Sequence, residues 1–273
     1  LDYVHGFHAG RWQRFVRSTR GPFPVEFALQ IILSVLDALD YAHTLTDAEG
    51  NPVGIIHRDV SPSNVLIDVD GHVKLADFGI ARTAAEATEV QTEAGTIKGK
   101  FPYLAPELFR GGVAGPVSDV YSTAVVLHEL VTGRNEFRTN DMSTTVARVL
   151  EHTPTPIDFI REDAPAALGE VTARALAKKP EERFQSAREL ADALRSVRGL
   201  AADEAAARMA RAVRQDFSDQ RMATVLGCDN LATLDHAWRE TRFAEARPVS
   251  LPSEPPTTLP TVLERPPLAV QAP

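Results

Sequence analysis

The sequence has few cysteines, no excess of positive charge and no long apolar run, and each of these absences excludes a class of structure or function. Cys228 is the only cysteine among 273 residues, so the chain cannot form an internal disulfide or a cluster of thiolate metal ligands. The 37 acidic residues outnumber the 29 lysines and arginines, which argues against nucleic acid as a partner because its binders carry a basic face. No apolar run approaches the roughly 20 residues of a membrane-spanning helix. We expect a cytoplasmic location, either for the chain itself or as the cytoplasmic part of a longer membrane-anchored protein.

Lysine is also scarce, and it is unevenly distributed. The chain has five lysines, none before position 74: Lys74, Lys98, Lys100, Lys178 and Lys179. The chain begins with Leu1 in place of an initiator methionine, so we expect it to be part of a longer translation product. Its 273 residues are enough for one large domain with a sizeable core and an appendage.

Apolar periodicity predicts a mainly helical domain with one β-hairpin. Residues 24–44 repeat apolar side chains at helical spacing, and the turn cluster at 47–52 ends that helix. Residues 65–75 predict two short strands joined by an Asp70-Gly71 turn. Residues 119–132 are almost continuously apolar and predict a core helix. Further helical patterns lie at 142–152, 166–178, 185–198 and 201–216, and another helix is compatible with the pattern at 229–243. The segment at 83–100 has the composition of an exposed loop.

The segments on either side of the hairpin carry the candidate chemistry. The run from His57 to Asn64 (HRDVSPSN) precedes the hairpin, and Asp77-Phe78-Gly79 follows it. Phosphoryl transfer needs a carboxylate that orients the attacking hydroxyl and accepts its proton, and hard oxygen ligands that hold Mg²⁺ at the nucleotide phosphates. Asp59 can supply the carboxylate. Asn64 and Asp77 can supply the ligands, because a short hairpin brings its ends together. Taken singly, these three residues would be ordinary turn residues.

Five segments, in this order, resemble the signature of the protein kinases. Residues 57–64 resemble the catalytic loop, residues 77–79 the magnesium-binding motif, and Ala105-Pro106-Glu107 the end of the activation segment. Residues 119–122 resemble the start of the central helix of the large lobe. Arg183 is similar to the arginine that pairs with the glutamate of the activation segment. The resemblance covers residues 1–198.

The resemblance implies a protein-kinase-like fold, namely a mainly α-helical C-terminal lobe with a small β-hairpin, and ATP and Mg²⁺ as cofactors. It gives Asp59 and Asn64 catalytic roles and makes Asn64 and Asp77 the metal ligands. Beyond residue 198 we expect a helical appendage at 199–246 and a proline-rich, disordered tail at 247–273. Structural roles fall to His57, Phe78, Glu107, Asp119 and Arg183. Asp119 could alternatively be only a helix N-cap.

The first six residues resemble the hinge between the two lobes of a kinase. By that resemblance the Asp2 carbonyl and the Val4 amide bond the adenine edge, and Leu66 packs under the ring. The glycine-rich phosphate loop, the lysine that holds the α- and β-phosphates and its glutamate partner belong upstream of a hinge. We therefore expect the N-terminal lobe and its β-sheet to be absent, and the isolated chain to be inactive or nearly so.

Two positions depart from the usual pattern of Ser/Thr kinases. The lysine expected two residues after the catalytic aspartate is replaced by Ser61, and the threonine of the Gly-Thr pair in the activation segment is replaced by Lys100. We hypothesise that Lys100 reaches back to supply the missing positive charge beside Asp59, since a phosphoryl-transfer site depends on such a charge. The alternative is that Lys100 is a solvated loop lysine.

The same resemblance suggests the substrate and the regulation. Pro62 after Ser61, and the Tyr103-Leu104-Ala105-Pro106-Glu107 run, are typical of Ser/Thr kinases, and the whole pattern is most similar to bacterial kinases of the eukaryotic-like type. Arg58 could pair with a phosphorylated activation-loop residue, for which Thr92 and Thr96 are best placed. Kinase dimerisation would allow autophosphorylation.

Two other functions stay open at this point. A lone C-terminal lobe or pseudokinase could serve as a binding module, although such a module has no need of Asp59, Asn64 and Asp77 together. A small-molecule phosphotransferase of the kinase-like superfamily would share the catalytic loop, but it would lack the Ala105-Pro106-Glu107 segment.

Overall fold

The computed structural model describes residues 4–78, 100–197 and 202–218, without the side chains of residues 202 and 203. Two long helices form its centre, α2 (Val25–Thr44) and α4 (Pro116–Thr132). Helix α2 packs against both α4 and α8 (Ala187–Val197), so its apolar side chains are covered on two sides. Helix α4 is buried over nearly its whole length, as its continuous apolar sequence predicts.

The other helices surround this pair. One of them, α1 (Ala9–Thr19), was not predicted, although Trp12, Phe15 and Val16 form a buried stripe at helical spacing. The rest, in chain order, are α3 (Pro106–Phe109), α5 (Met142–Glu151), α6 (Ile157–Ile160), α7 (Ala166–Ala175) and α9 (Ala202–Ser218). The helices predicted at 142–152, 166–178, 185–198 and 201–216 are therefore confirmed, with ends shifted by up to three residues.

The predicted hairpin is confirmed, but it belongs to a three-stranded antiparallel sheet. Strands β2 (Val65–Asp68) and β3 (Val73–Leu75) form the hairpin, and β1 (Gly6–His8) pairs with the other edge of β2. Gly6 pairs with Asp68, and a Cβ atom on Gly6 would overlap the carbonyl oxygen of Ile67. The close approach of β1 to β2 therefore requires glycine at this position.

Helix α4 begins one turn earlier than predicted. Gly115 is its N-cap and Pro116 its first residue, where a fixed φ angle is favourable and no backbone N–H is needed. The helix ends at Gly133, which adopts the left-handed conformation with φ 79°. Asp119 thus lies inside the first turn, and the alternative that it is only an N-cap is wrong.

Helix α9 packs on the domain with Ala205, Met209 and Val213 fully buried. It contacts α2, which makes it a fixed part of the described structure. The patterns at 229–243 and 247–273 and nearly all of the loop at 83–100 lie outside the described residues. None of the helices described is both long and apolar enough to span a membrane.

Candidate active site

Asp119 holds the segment that contains the predicted catalytic aspartate. Its Oδ2 accepts hydrogen bonds from the backbone N–H of His57 (2.8 Å) and lies 2.9 Å from Nε2 of His43, and its Oδ1 accepts from the N–H of Arg58 (2.9 Å). Arg58 has φ +65°, a conformation that costs a non-glycine residue about 1–3 kcal/mol. The carboxylate of Asp119 offsets this cost, because it binds two successive N–H groups of the strained turn.

His57 is a neutral, buried residue of the scaffold. Its Nδ1 accepts from the N–H of Asp59 (3.2 Å), and its Nε2 lies 3.0 Å from the carbonyl oxygen of Ala76, which can only accept. The ring proton therefore belongs on Nε2. Burial lowers the pKa of His57, and this outweighs the opposite effects of the Ala76 carbonyl and the nearby carboxylates. The ring packs on Phe78, with 4.6 Å between centroids.

Asn64 fixes the backbone and the side chain of Asp59 together. Its Nδ2 donates to the Asp59 carbonyl oxygen (2.8 Å) and to Oδ2 of the Asp59 side chain (3.0 Å). Since both bonds use the amide nitrogen, Oδ1 of Asn64 is left as an acceptor or metal ligand. The buried Ser61 shares a hydrogen bond with Ser63, 2.9 Å between the hydroxyl oxygens, so it is bound within the loop.

Lys100 contacts Asp59, as the hypothesis that Lys100 supplies a positive charge there requires. Its Nζ donates to Oδ2 of Asp59, and the two side chains are 30% and 16% exposed. Lys100 directly precedes a buried 3₁₀ turn, Phe101–Tyr103. Tyr103 anchors this turn, because its hydroxyl donates to Glu129 (2.7 Å) and its carbonyl oxygen accepts from Ser122 (2.7 Å). The Lys100 ammonium group is thus held beside Asp59 by a turn that is itself hydrogen-bonded to α4.

The hairpin brings the backbone of Asn64 close to the backbone beside Asp77, the two predicted metal ligands. The N–H of Ala76 donates to the carbonyl oxygen of Asn64 (2.8 Å), so Asp77 directly follows a residue bonded to Asn64. Asp77 is exposed and, like Arg58, is a non-glycine residue with a positive φ, +58°. Two hard oxygens fit Mg²⁺, which usually takes its other ligands from water and phosphate. Among the described residues no three His, Cys, Asp or Glu side chains are grouped to hold a metal by themselves.

The predicted adenine-binding residues are only partly described. Leu66 is half-buried and lies on the face of β2 opposite Val65 and Ile67, which are fully buried. Val4 is half-buried just before β1. Asp2, Thr92 and Thr96 lie outside the described residues, so their predicted roles stay predictions.

The predicted ion pair between Glu107 and Arg183 is present and buried. Arg183 binds both carboxylate oxygens, at 3.0 and 2.7 Å, and Ser118 donates a third bond at 2.8 Å. Burial raises the pKa of Glu107, but the bonds from Arg183 outweigh it and the pKa lies below its ordinary value. The guanidinium also lies over the Tyr121 ring, 4.8 Å from its centroid. The pair connects the end of the activation segment to the helical core.

Sequence reasoning missed two residues of this framework. His43, at the end of α2, is the third partner of Asp119, and Ser118 joins Glu107 to the first turn of α4. Helix α2 carries several other polar residues, among them Asp37 and Asp40, so its sequence does not single out His43.

The comparisons with known proteins agree with this geometry. The family described as protein kinase domain matches residues 2–194, so the chain belongs to the protein kinase family. It is 35% identical over 195 residues to the tyrosine-protein kinase MasK of Myxococcus xanthus, covering 71% of the chain and 30% of that protein. It is 37% identical over 196 residues to the serine/threonine-protein kinase PknB of Mycobacterium leprae, covering 71% and 29%.

A third relative is the probable serine/threonine-protein kinase PknB of Corynebacterium glutamicum. The identity is 40% over 187 residues, which cover 67% of the chain and 28% of that protein. The chain thus matches less than a third of the length of these relatives. The helix-rich fold with its small antiparallel sheet is consistent with the C-terminal lobe of a kinase.

Proposed function

We propose that this chain is the catalytic-loop half of an ATP-dependent protein Ser/Thr kinase. The observation that carries the proposal is the cluster at the end of the hairpin, where Asn64 and Lys100 both bind the Asp59 carboxylate. The strained turn beside this cluster is held by the buried Asp119. A loop that served only as a turn would need neither a braced strained backbone nor this convergence of polar groups.

Asp59 orients the attacking hydroxyl and accepts its proton. Asn64 and Lys100 both bind Oδ2 of Asp59, and among the described residues Oδ1 has no partner, so it can receive a substrate hydroxyl. Two donors on one oxygen also fix the plane of the carboxylate. Positioning of this kind is the main contribution that a protein makes to phosphoryl transfer.

Oδ1 of Asn64 and the carboxylate of Asp77 would hold Mg²⁺. When bound there, Mg²⁺ neutralises charge on the transferring phosphates. The Val4 amide would bond the adenine edge and Leu66 would pack under the ring, which places the nucleotide on the face of the sheet that points away from the core.

Lys100 supplies the positive charge that a phosphoryl-transfer site needs near its carboxylate. Ser61 has no charge and is hydrogen-bonded to Ser63, whereas Lys100 is in contact with Asp59. A solvated loop lysine is the alternative, but it would have no reason to be held beside Asp59 by the buried turn that follows it. A preorganised cation is worth most where water is partly excluded.

Serine and threonine are the proposed acceptors. The Ser61-Pro62 pair and the Tyr103-Leu104-Ala105-Pro106-Glu107 run support this, as do the two relatives named as serine/threonine kinases. One relative, MasK, is named as a tyrosine kinase. Phosphate found on tyrosine would therefore contradict serine and threonine as the acceptors.

The experiment is Mg²⁺- and ATP-dependent autophosphorylation, read by mass spectrometry. This chain is compared with a chain extended upstream by about the length of a small lobe, each beside an Asp59→Asn control. The proposal expects phosphate on Ser or Thr of the extended chain, Thr92 or Thr96 first, where Arg58 could bind it. An extended chain that stays unmodified and transfers nothing to a generic protein substrate would favour a binding module instead.

A further inference from the structure

The last turn of helix α9 is bonded to helix α1. Asp216 is fully buried there, and its Oδ2 accepts a hydrogen bond of 2.8 Å from Nε1 of Trp12 in α1. Its Oδ1 is bound by Arg20, the residue that ends α1. A buried carboxylate is tolerated only with such partners. Asp216 therefore ties the end of α9 to both the middle and the end of α1, across about 200 positions of sequence.

The next residue of α9 contacts β1. The Phe217 ring lies edge-on to His5, with centroids 4.8 Å apart, and is stacked at 6.1 Å on Phe7. His5 and Phe7 flank Gly6, the residue that must approach β2 most closely. The contact therefore falls beside the position where β1 comes closest to β2.

Helix α9 also touches the turn of the hairpin. A Cβ atom on Gly71, which has φ +85°, would lie 2.7 Å from the Cα atom of Ala210. Arg214 forms an ion pair of 3.1 Å with Asp70 in the same turn. Helix α9 thus contacts β1 through Phe217, and the β2–β3 turn through Ala210 and Arg214.

These contacts are close, in sequence and in strand register, to the groups proposed to bind the nucleotide. Val4 is two residues before β1, and His8 of β1 is the register partner of Leu66. A shift of β1 would therefore move both the amide that faces the adenine edge and the side chain beneath the ring.

We propose that α9 is a strut for the nucleotide site, in which Asp216 and Phe217 are positioning residues that hold α1 and β1 in the conformation that binds adenine. The proposal rests on the nucleotide-binding function proposed above. By thermodynamic linkage, a nucleotide that binds better when β1 is held must also strengthen the docking of α9. A partner that drew α9 away would in turn release nucleotide.

The test uses four variants and two readouts. Phe217→Ala removes the ring contacts with His5 and Phe7. Asp216→Asn removes the negative charge that pairs with Arg20 at the end of α1. Phe217→Leu is the conservative partner. Arg208→Ala is the matched control, because it breaks an α9 ion pair with Glu26 of α2 (3.1 Å) that does not involve β1. The readouts are amide hydrogen exchange of residues 4–19 without nucleotide, and the dissociation constant of a fluorescent Mg²⁺–ATP analogue on the upstream-extended chain.

Phe217→Ala and Asp216→Asn should speed amide hydrogen exchange in residues 4–19. They should also raise the dissociation constant of the analogue about fivefold, the lower end of typical coupling between sites. Phe217→Leu should recover most of the affinity, and Arg208→Ala should change neither readout. Unchanged exchange would overturn the strut, and faster exchange with unchanged affinity would overturn its link to the nucleotide. If the unmutated chain does not bind the analogue, the proposed function fails, while the exchange readout still decides whether α9 restrains β1.

Discussion

The polar groups of this domain fall into two regions that differ in how completely they are bonded. In the brace, which comprises Asp119, Glu107 and Arg183, the guanidinium makes five hydrogen bonds and is almost fully buried. At the tip, which comprises Asp59, Lys100 and Asp77, the side chains stay partly or largely exposed. Asp119 and Arg183, which fix the loop, are withdrawn from water, whereas Lys100 and Asp77, which would meet substrate, stay at least partly exposed. Variants in the brace should therefore change stability first, and variants at the tip should change catalysis alone.

The largest effect is expected at the tip. Asp59→Asn keeps an oxygen for Asn64 and Lys100 but cannot accept a proton, so phosphoryl transfer by the upstream-extended chain should fall about 10³-fold, within the range of general-base catalysis. The free energy of unfolding should change by less than about 0.5 kcal/mol, as for most substitutions away from the core. Activity is measured by phosphate incorporation and stability by urea unfolding. A variant that is inactive only because it is unfolded would contradict the division into two regions.

A variant in the brace should lower the stability of the domain. Arg183→Met leaves the largely buried Glu107 without its cation, which should lower the free energy of unfolding by about 3–5 kcal/mol. Adding Glu107→Gln removes the unpaired charge and should recover part of the loss. Urea unfolding of the single and double variants measures both numbers. Equal stability of the single and double variants would mean that Glu107 is solvated when Arg183 is removed.

Lys100→Ala should have an intermediate effect on catalysis and little on folding. Removing one preorganised charge from an active site typically costs 10²–10³ in turnover, and we expect about 10²-fold here. Because Lys100 is 30% exposed and its pair with Asp59 is at the surface of the site, the stability change should be small. Steady-state phosphorylation and a melting curve on the same preparation separate the two effects.

The smallest effect is a pH dependence of stability. Burial lowers the pKa of His57 and His128, so the unfolded chain binds their protons at a higher pH than the folded chain does. Their contribution to stability is complete above pH 6.5 and decreases as the pH falls below it, by at most about 1.4 kcal/mol per pH unit for each histidine. His128→Gln, which can still donate to the Thr155 carbonyl, should reduce this slope.

Glu107 provides a contrast within the same titration. Its pKa is lowered in the folded protein, so its contribution is present above about pH 4.5 and is lost only as the pH falls further. Glu107→Gln should therefore alter the slope below pH 4.5 and not the slope between pH 5 and 7. An effect of Glu107→Gln near pH 6 would contradict this assignment.

Sequence patterns were sufficient where the structure is local. The helix predicted at 24–44 is α2 at 25–44, and the hairpin at 65–75 has its turn at Asp70-Gly71, because helical spacing and turn chemistry are properties of neighbouring residues. Since the hairpin is local, the proximity of Asn64 and the Asp77 segment followed from it. The contact of Lys100 with Asp59 was inferred only by resemblance.

Sequence patterns failed where the structure depends on distant partners. Arg11, Arg14 and Arg17 alternate with the buried residues of α1 and made its apolar stripe easy to overlook. Asp216 is a charged residue that would ordinarily be assigned to solvent, and only the distant Trp12 and Arg20 explain its burial. The docking of α9 could therefore not be predicted from its helical pattern alone.

The most direct test of the central claim, that Lys100 takes the place of the lysine missing at Ser61, is to move the charge back. Lys100→Thr, Ser61→Lys and the double variant are compared by turnover in the upstream-extended chain. We expect Lys100→Thr to lower turnover about 10²-fold and Ser61→Lys to restore most of the loss when combined with it, since one positive charge beside Asp59 suffices. A double variant no more active than Lys100→Thr, or a Lys100→Thr variant with normal turnover, would contradict it.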